Sequence, residues 1–102
     1  MTEYQITSWR ELPSLVVARH GDEVAKVQLA GRFQEAIDEA AMRLGETSSD
    51  DYMAGWVRGG WVSAVGEPAE VAGVVSAELE GKWTAEAIAE FLDALGPSAT
   101  ND

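Results

Sequence analysis

The first third of the chain carries the alternation of apolar and polar residues that is typical of β-strands. Residues 4–9 alternate between the two types, residues 15–19 are mostly apolar with two β-branched valines, and residues 23–29 alternate again. Leu12-Pro13 interrupts the pattern between the first two stretches, and His20-Gly21-Asp22 supplies a turn between the last two. Because the connections are short, we predict an antiparallel meander of three strands with one solvent-exposed face.

The next segment changes to the spacing of an amphipathic α-helix. We predict that this helix begins at Gly31 and ends before Gly45, which is suited to the left-handed cap. Its apolar stripe, which we expect to be buried against the sheet, consists of Phe33, Ile37, Ala40, Ala41 and Leu44. Charged side chains occupy the other faces, so this is the clearest element in the sequence.

Three more helices are predicted farther along the chain. A short one is capped by Ser48 or Ser49 and runs through Trp56, with acidic residues in its first turn. Another begins at Pro68, and the last follows the N-cap residue Thr84. The apolar stripes of these last two helices are Val71, Val74, Val75 and Leu79 in the first and Ile88, Phe91, Leu92 and Leu95 in the second.

The order of these elements indicates the fold class. Residues 61–65 carry a further strand pattern, which the two preceding glycines weaken. The three clear strands nevertheless precede the helices. The sequence therefore predicts an α+β fold: a small antiparallel sheet of three to four strands, followed by about four helices packed on one face. A chain of 102 residues fits a single domain. We assign this domain to residues 1–97 and expect residues 98–102 to form a frayed C-terminal tail.

The balance of charged residues narrows the classes of partner. Eighteen acidic residues face seven Lys or Arg, which gives a formal net charge of −11. A surface this negative repels nucleic-acid phosphates and anionic membranes, so neither is expected as a partner, whereas a protein with a basic face is allowed. Cys is absent, and no segment resembles a signal peptide or a membrane span, so we expect a cytoplasmic protein.

The sequence contains no set of side chains with the spacing of a catalytic or metal site. The single histidine, His20, lies in a predicted turn without a neighbouring partner for acid–base chemistry. Paired acids, such as Asp50 with Asp51 or Glu86 with Glu90, lie on polar helix faces or in first turns, where solvated surface explains them. With no Cys and one His, we expect no catalytic residue, no cofactor and no tightly bound transition metal.

The segment from Gly55 to Trp61 is rich in glycine and tryptophan. It is not a phosphate-binding loop, because no Gly-Lys-Ser/Thr follows it. Trp and Arg dominate the energetics of many protein interfaces, and loops on a rigid scaffold often carry binding residues. We therefore predict that Trp56 or Trp61, together with Arg58, forms a contact surface for another protein. The alternative is that both rings turn inward and close the end of the core.

A helix signature and several flanking residues connect the chain to a known family. The signature is Arg-Phe-Gln-Glu-Ala-Ile-Asp-Glu-Ala-Ala-Met from Arg32 to Met42, and it is accompanied by Tyr4-Gln5-Ile6, Trp9, Leu12-Pro13, Leu29, Asp51-Tyr52 and Trp56. Over residues 3–60 the chain resembles the virulence factor family of small bacterial proteins, which is related to the C-terminal domain of conserved virulence factor C. That family has no established activity or catalytic residues, so no site residue is carried over. The resemblance implies an accessory protein whose partner is an enzyme of folate- or corrinoid-dependent one-carbon metabolism.

Three functions are open at this point. The first is a non-enzymatic interaction module that binds another protein. The second is a small-molecule-binding subunit of an enzyme complex, which holds an anion with a cluster of arginines: Arg10, Arg32, Arg43 and Arg58. The third is a stand-alone enzyme, for which the sequence offers no acid, base or nucleophile. Convergence of the arginines on a concave pocket would favour the second function.

Overall fold

The computed structural model describes residues 1–46 and 48–96. The strands are β1 (Thr2–Trp9), β2 (Leu12–His20), β3 (Glu23–Gln28), β4 (Trp56–Arg58) and β5 (Val62–Ala64). The helices are α1 (Gly31–Leu44), α2 (Ser49–Ala54), α3 (Pro68–Lys82) and α4 (Ala85–Ala94). An antiparallel sheet with four helices in these residues confirms the predicted α+β class. The predicted tail, residues 98–102, lies outside the described residues.

The strands form one antiparallel sheet in the order β3-β2-β1, with β4 and β5 sharing the outer edge of β1. Arg58 of β4 lies opposite Thr7, and Val62 of β5 lies opposite Tyr4. From one pair to the other, β1 moves by three residues and the edge strand by four, so the edge strand contains one extra residue. The two short strands are therefore parts of a single edge strand that is interrupted at residues 59–61 by a bulge.

The segment that precedes this edge differs from the prediction. The second helix ends at Ala54 and not at Trp56, because Trp56 is the first residue of β4. Ser48 caps the helix, and its hydroxyl accepts a hydrogen bond from the Asp51 main-chain N–H at 3.2 Å. β4 has only three residues, too few to show an alternation in the sequence. The predicted strand over residues 61–65 corresponds to β5.

The two faces of the sheet have different surroundings. On one, the helix face, Val16 and Ala18 of β2 pack against Val71 and Ala72 of α3. Half-buried residues complete this contact: Tyr4, Ile6, Ala25, Val27 and Ala64. Because successive side chains of a strand point to opposite sides, the alternate residues form a second face. This open face comprises Glu3, Gln5, Thr7, Leu15, Val17, Arg19, Val24, Lys26, Gln28, Arg58 and Ser63.

A second core lies at the end of the sheet, where β1 turns into β2. Trp9 and Leu12 from the strands, Phe33 and Ile37 from α1, and Ile88 from α4 are buried together. The helices are thus divided between two positions: α3 covers one face of the sheet, while α1 and α4 enclose its end.

The predicted apolar stripe is confirmed for α1 and only in part for α3. Four of the five stripe residues of α1 are buried, and Leu44 is half-buried. In α3, Val71 is buried but Val74 is 54% exposed, and Ala72 and Ser76 are buried instead. Small side chains let a helix approach the sheet closely, so a search for large apolar residues misplaces the buried side of α3.

The helices of the described residues are shorter than a membrane span. The longest of them, α3, has 15 residues, whereas a membrane span needs about 20 apolar residues. Within residues 1–46 and 48–96, no helix is long and apolar enough to cross a bilayer.

Candidate functional site

The segment from Gly55 to Trp61 is an edge of the sheet and not a free loop. The segment begins beside Trp9 of β1, which pairs with Trp56. Trp9 is fully buried and stacks on Tyr52 with 5.9 Å between ring centroids. The Nε1–H group of Trp9 donates a hydrogen bond of 2.7 Å to the main-chain carbonyl oxygen of Tyr52. A Cβ atom at Gly55 would lie 2.5 Å from the Trp9 ring. Packing around Trp9 therefore requires glycine at this position.

Trp56 closes this end of the core. It lies opposite Trp9 in the sheet, and its ring meets Tyr52 edge-on with 6.0 Å between centroids. The side chain is half-buried and packs against the core that contains Trp9. Part of the indole surface is therefore accessible to a partner, while the rest anchors the ring.

Arg58 lies on the open face, opposite Thr7, and is exposed to solvent. Within residues 1–46 and 48–96, no side chain or main-chain group forms a hydrogen bond or ion pair with its guanidinium group. A free guanidinium can bind a carboxylate through two parallel hydrogen bonds. Arg58 is thus available for an acidic group of a partner.

Trp61 packs against Arg19 of β2. The guanidinium carbon of Arg19 lies 3.6 Å from the centroid of the indole ring, well within cation–π range. Arg19 also forms an ion pair of 3.4 Å with Glu3 of β1. Sequence reasoning missed Arg19, because strand pairing alone brings it next to Trp61 and no local pattern connects the two residues.

The open face collects basic residues in an otherwise acidic protein. Its charged strand residues are Arg19, Lys26, Arg58 and Glu3. It therefore carries three of the seven basic residues and one of the eighteen acidic residues of the chain. Leu15 and Val17 lie between these charges, half-buried and outside both core clusters of the described residues. The face combines apolar surface with local positive charge.

The other arginines considered for an anion site have structural partners. Arg32 donates to two main-chain carbonyl oxygens at the C-terminal end of α3, at 3.1 and 3.5 Å. Arg43 donates to two main-chain carbonyl oxygens at the end of α4, at 3.1 and 2.9 Å. Arg10 pairs with Glu46. Carbonyls at the end of a helix lack intrahelical donors, so Arg32 and Arg43 complete the hydrogen bonding of α3 and α4. These three arginines bind separate partners and do not form a common pocket.

His20 lies in a shallow recess near the N-terminus. It is exposed at the end of β2, opposite Glu23, and together with Glu67 these residues line a recess of about 310 Å³. In the part of the chain that the structure describes, no group of three or more His, Cys, Asp or Glu side chains could hold a metal ion. The absence of a catalytic residue, a cofactor and a bound metal stays a prediction.

The comparisons with known proteins identify a family and no individual relative. The chain matches the family model described as "Virulence factor" over residues 7–92, from β1 into α4. This match extends well beyond the resemblance over residues 3–60. No curated protein and no solved structure matches the chain. Because the family match covers most of its length, the chain belongs to the virulence factor family.

Proposed function

We propose that this protein is a non-enzymatic interaction module whose contact surface is formed by Trp61 and Arg58, with Trp56 at the end of the same edge. The observation that carries the proposal is the position of Trp61. Its ring is held against Arg19 at 3.6 Å on the face of the sheet that no core cluster of the described residues covers. Arg58 is exposed on that face.

The fixed position of Trp61 favours binding. A side chain that must be ordered on association loses conformational entropy, and this loss reduces the affinity. Trp61 is already ordered by Arg19, and Arg19 is held in turn by Glu3. A partner can therefore contact the part of the indole that Arg19 leaves exposed, at a lower entropic cost than for a freely rotating side chain. Trp and Arg are also the residue types that most often dominate the affinity of an interface.

The chemistry of this surface defines the complementary group on the partner. Arg58 and Lys26 have no ion pair among the described residues and are exposed. Leu15 and Val17 give the face apolar area beside these charges. The surface thus suits a partner that presents an apolar side chain for Trp61 next to a carboxylate for Arg58.

A charge reversal at Arg58 tests this surface. Arg58→Glu should keep the thermal midpoint of the wild type, because an exposed arginine without an ion pair contributes little to folding. The variant should lose the partner that wild-type protein recovers from a native lysate, as measured by quantitative mass spectrometry. Lys82→Glu is the matched control. Lys82 is also exposed, it lies at the end of α3, and its replacement by Glu changes the net charge by the same amount.

Two outcomes distinguish the proposal from its alternative. If Arg58→Glu and Lys82→Glu recover the same proteins as the wild type, the surface is not the contact site. If Trp61→Ala also leaves recovery unchanged while it lowers the thermal midpoint, the ring has only a structural role. Loss of the partner in Arg58→Glu and Trp61→Ala, with Lys82→Glu unaffected, is the result that we expect.

The family resemblance extends the proposal to the identity of the partner. We infer that the partner is an enzyme of folate- or corrinoid-dependent one-carbon metabolism and that the two proteins meet in the cytoplasm. The support for this step is the family resemblance alone, because the surface itself suits any partner with the chemistry given above. The identity of the recovered protein tests this step separately. An Arg58-dependent partner from unrelated metabolism would keep the interaction module and remove the one-carbon assignment.

A further inference from the structure

An apolar groove lies on the helix face of the sheet, between α3 and the edge strand. Its floor and walls include Tyr4, Val65, Val74 and Val75, and it encloses about 200 Å³. Glu70 and Glu78 of α3 also line it. We call this feature the valine groove. It is on the opposite side of the sheet from Arg58 and Trp61.

The valine groove exposes more apolar surface than folding requires. Val65 is 92% exposed and Val74 is 54% exposed. Val62, which lies opposite Tyr4 at the neighbouring edge, is also exposed. The core of this face is centred between α3 and β2, and Tyr4 and Ala64, at the side next to β5, are only half-buried against it. Single exposed apolar residues are common, but a contiguous group rimmed by polar residues is typical of a binding surface.

The charges at the groove define what can bind. Glu70, Val74 and Glu78 are spaced four residues apart, so they form one ridge along α3 of about 12 Å. Within residues 1–46 and 48–96, neither glutamate has a hydrogen bond or an ion pair. No Lys or Arg is among the residues that line the groove. Both carboxylates are therefore available to cations of a partner.

We propose that the valine groove binds a basic amphipathic segment, with its apolar side chains on Val65, Val74 and Val75 and its Lys or Arg side chains on Glu70 and Glu78. The net charge of −11 attracts such a segment from a distance, so the long-range and local electrostatics agree. A symmetric contact between two copies would instead bring these glutamates toward one another. The proposal concerns a second surface and does not depend on Arg58 or Trp61.

Two synthetic peptides test the occupant. The first is a fluorescein-labelled helical peptide of Leu and Lys with all Leu side chains on one face, and the second has Glu in place of each Lys. Fluorescence anisotropy should show saturable binding of the Lys peptide and no binding of the Glu peptide. In the ¹⁵N–¹H spectrum, the Lys peptide should shift the amides of residues 62–78 most strongly. Equal binding of both peptides, or no binding of either, overturns the proposal.

Matched charge reversals separate the groove from the overall charge. Glu70→Lys with Glu78→Lys should weaken binding of the Lys peptide about tenfold or more. The control is Glu86→Lys with Glu90→Lys, which makes the same change in net charge on α4. It is matched in position as well, because Glu86 and Glu70 both lie in the first turn of their helices. This control should change the affinity by less than about threefold, since it alters only the long-range attraction. Equal losses in the two double variants would mean that the peptide binds to net charge and not to the groove.

A second pair of variants tests the apolar part of the site. In Val74→Glu the Leu side of the peptide would have to bury a carboxylate where the wild type offers an apolar side chain, so saturable binding should be lost. Val24→Glu is the control, because Val24 is 55% exposed on the open face, close to the 54% of Val74. Circular dichroism melting checks that both variants fold.

If Val74→Glu instead removes a concentration-dependent oligomer of the wild type in light scattering, the occupant is a second copy and the proposed segment is wrong. Arg58→Glu should bind the Lys peptide like the wild type, which keeps this result separate from the Arg58-dependent contact.

Discussion

At the scale of single residues, Trp9 connects parts of the chain that are far apart in sequence. Its ring stacks on Tyr52, its Nε1–H group donates to the carbonyl oxygen of the same residue, and Arg10 lies 5.5 Å from its centroid. Complete burial of an indole is uncommon unless its N–H has a partner, and the Tyr52 carbonyl supplies one here. The start of the candidate contact edge is therefore fixed by the core and not by the edge itself.

The first prediction concerns Gly55. In Gly55→Ala the new methyl group would lie 2.5 Å from the Trp9 ring, so the ring or the main chain must move. We expect a loss of about 1–3 kcal/mol in the free energy of unfolding, the usual effect of overpacking. Chemical denaturation monitored by tryptophan fluorescence measures it.

The control for this prediction is a glycine in the same segment. At Gly60 an added Cβ meets nothing within 4 Å, and Gly60 is not among the residues with positive φ. Gly60→Ala should therefore change the free energy of unfolding by no more than about 0.5 kcal/mol. Equal denaturation midpoints for the two variants would show that the approach of Gly55 to Trp9 is unimportant for stability.

At the scale of elements, α1 organises the ends of two other helices. Arg32, near its start, binds the C-terminal carbonyls of α3, and Arg43, near its end, binds those of α4. A guanidinium group presents several donors in a fixed geometry, so one side chain can satisfy two carbonyls. α1, which lies inside the region that matches the family, thus positions both C-terminal helices.

The second prediction tests the link between α1 and α4. Arg43→Gln removes the donors to the two carbonyls at 3.1 and 2.9 Å and an ion pair of 2.9 Å with Glu39. It should lower the free energy of unfolding by about 1.5–3 kcal/mol, mainly through the hydrogen bonds that the charged group makes to the carbonyls. Hydrogen exchange should speed up first in residues 85–95. The control is Arg10→Gln, which makes the same charge change and removes an ion pair with Glu46 at a side chain that is 42% exposed, but removes no hydrogen bond to the end of a helix. Such a pair contributes about 0.2–1 kcal/mol, so equal effects of the two variants would contradict the role of Arg43.

The elements also show what the sequence can predict and where the limit lies. α1 was predicted at its observed bounds, because its apolar stripe is regular and Gly45 takes the left-handed conformation with φ of 72°. β4 could not be predicted, since a three-residue strand depends on its pairing with β1. The candidate site has the same limit. Local patterns selected Trp61 and Arg58, but Arg19 joins Trp61 only through the arrangement of the sheet.

At the scale of the whole molecule, the sheet separates two surfaces of different character. The open face carries Arg19, Lys26 and Arg58 around Trp61, whereas the valine groove carries Glu70 and Glu78 around exposed valines. The distribution of charge, and not only its sum, therefore determines which partner each face can accept. The two proposed contacts are compatible, because they lie on opposite sides of one sheet.

The last prediction follows from the competition between local and net charge. Basic residues beside a tryptophan on an open sheet face are a common feature of nucleic-acid-binding proteins, so the open face could suggest such a role. Affinity for a duplex, however, comes mainly from neutralising phosphates, and three basic residues are outweighed by a net charge of −11. We expect no rise in the anisotropy of a labelled DNA duplex at physiological salt. Lowering the salt should not produce binding either, because weaker screening extends the repulsion of the acidic surface along with the attraction of the open face. A saturable rise that strengthens as salt is lowered, and that Arg58→Glu removes, would mean that the open face recognises phosphates and that its proposed protein partner is wrong.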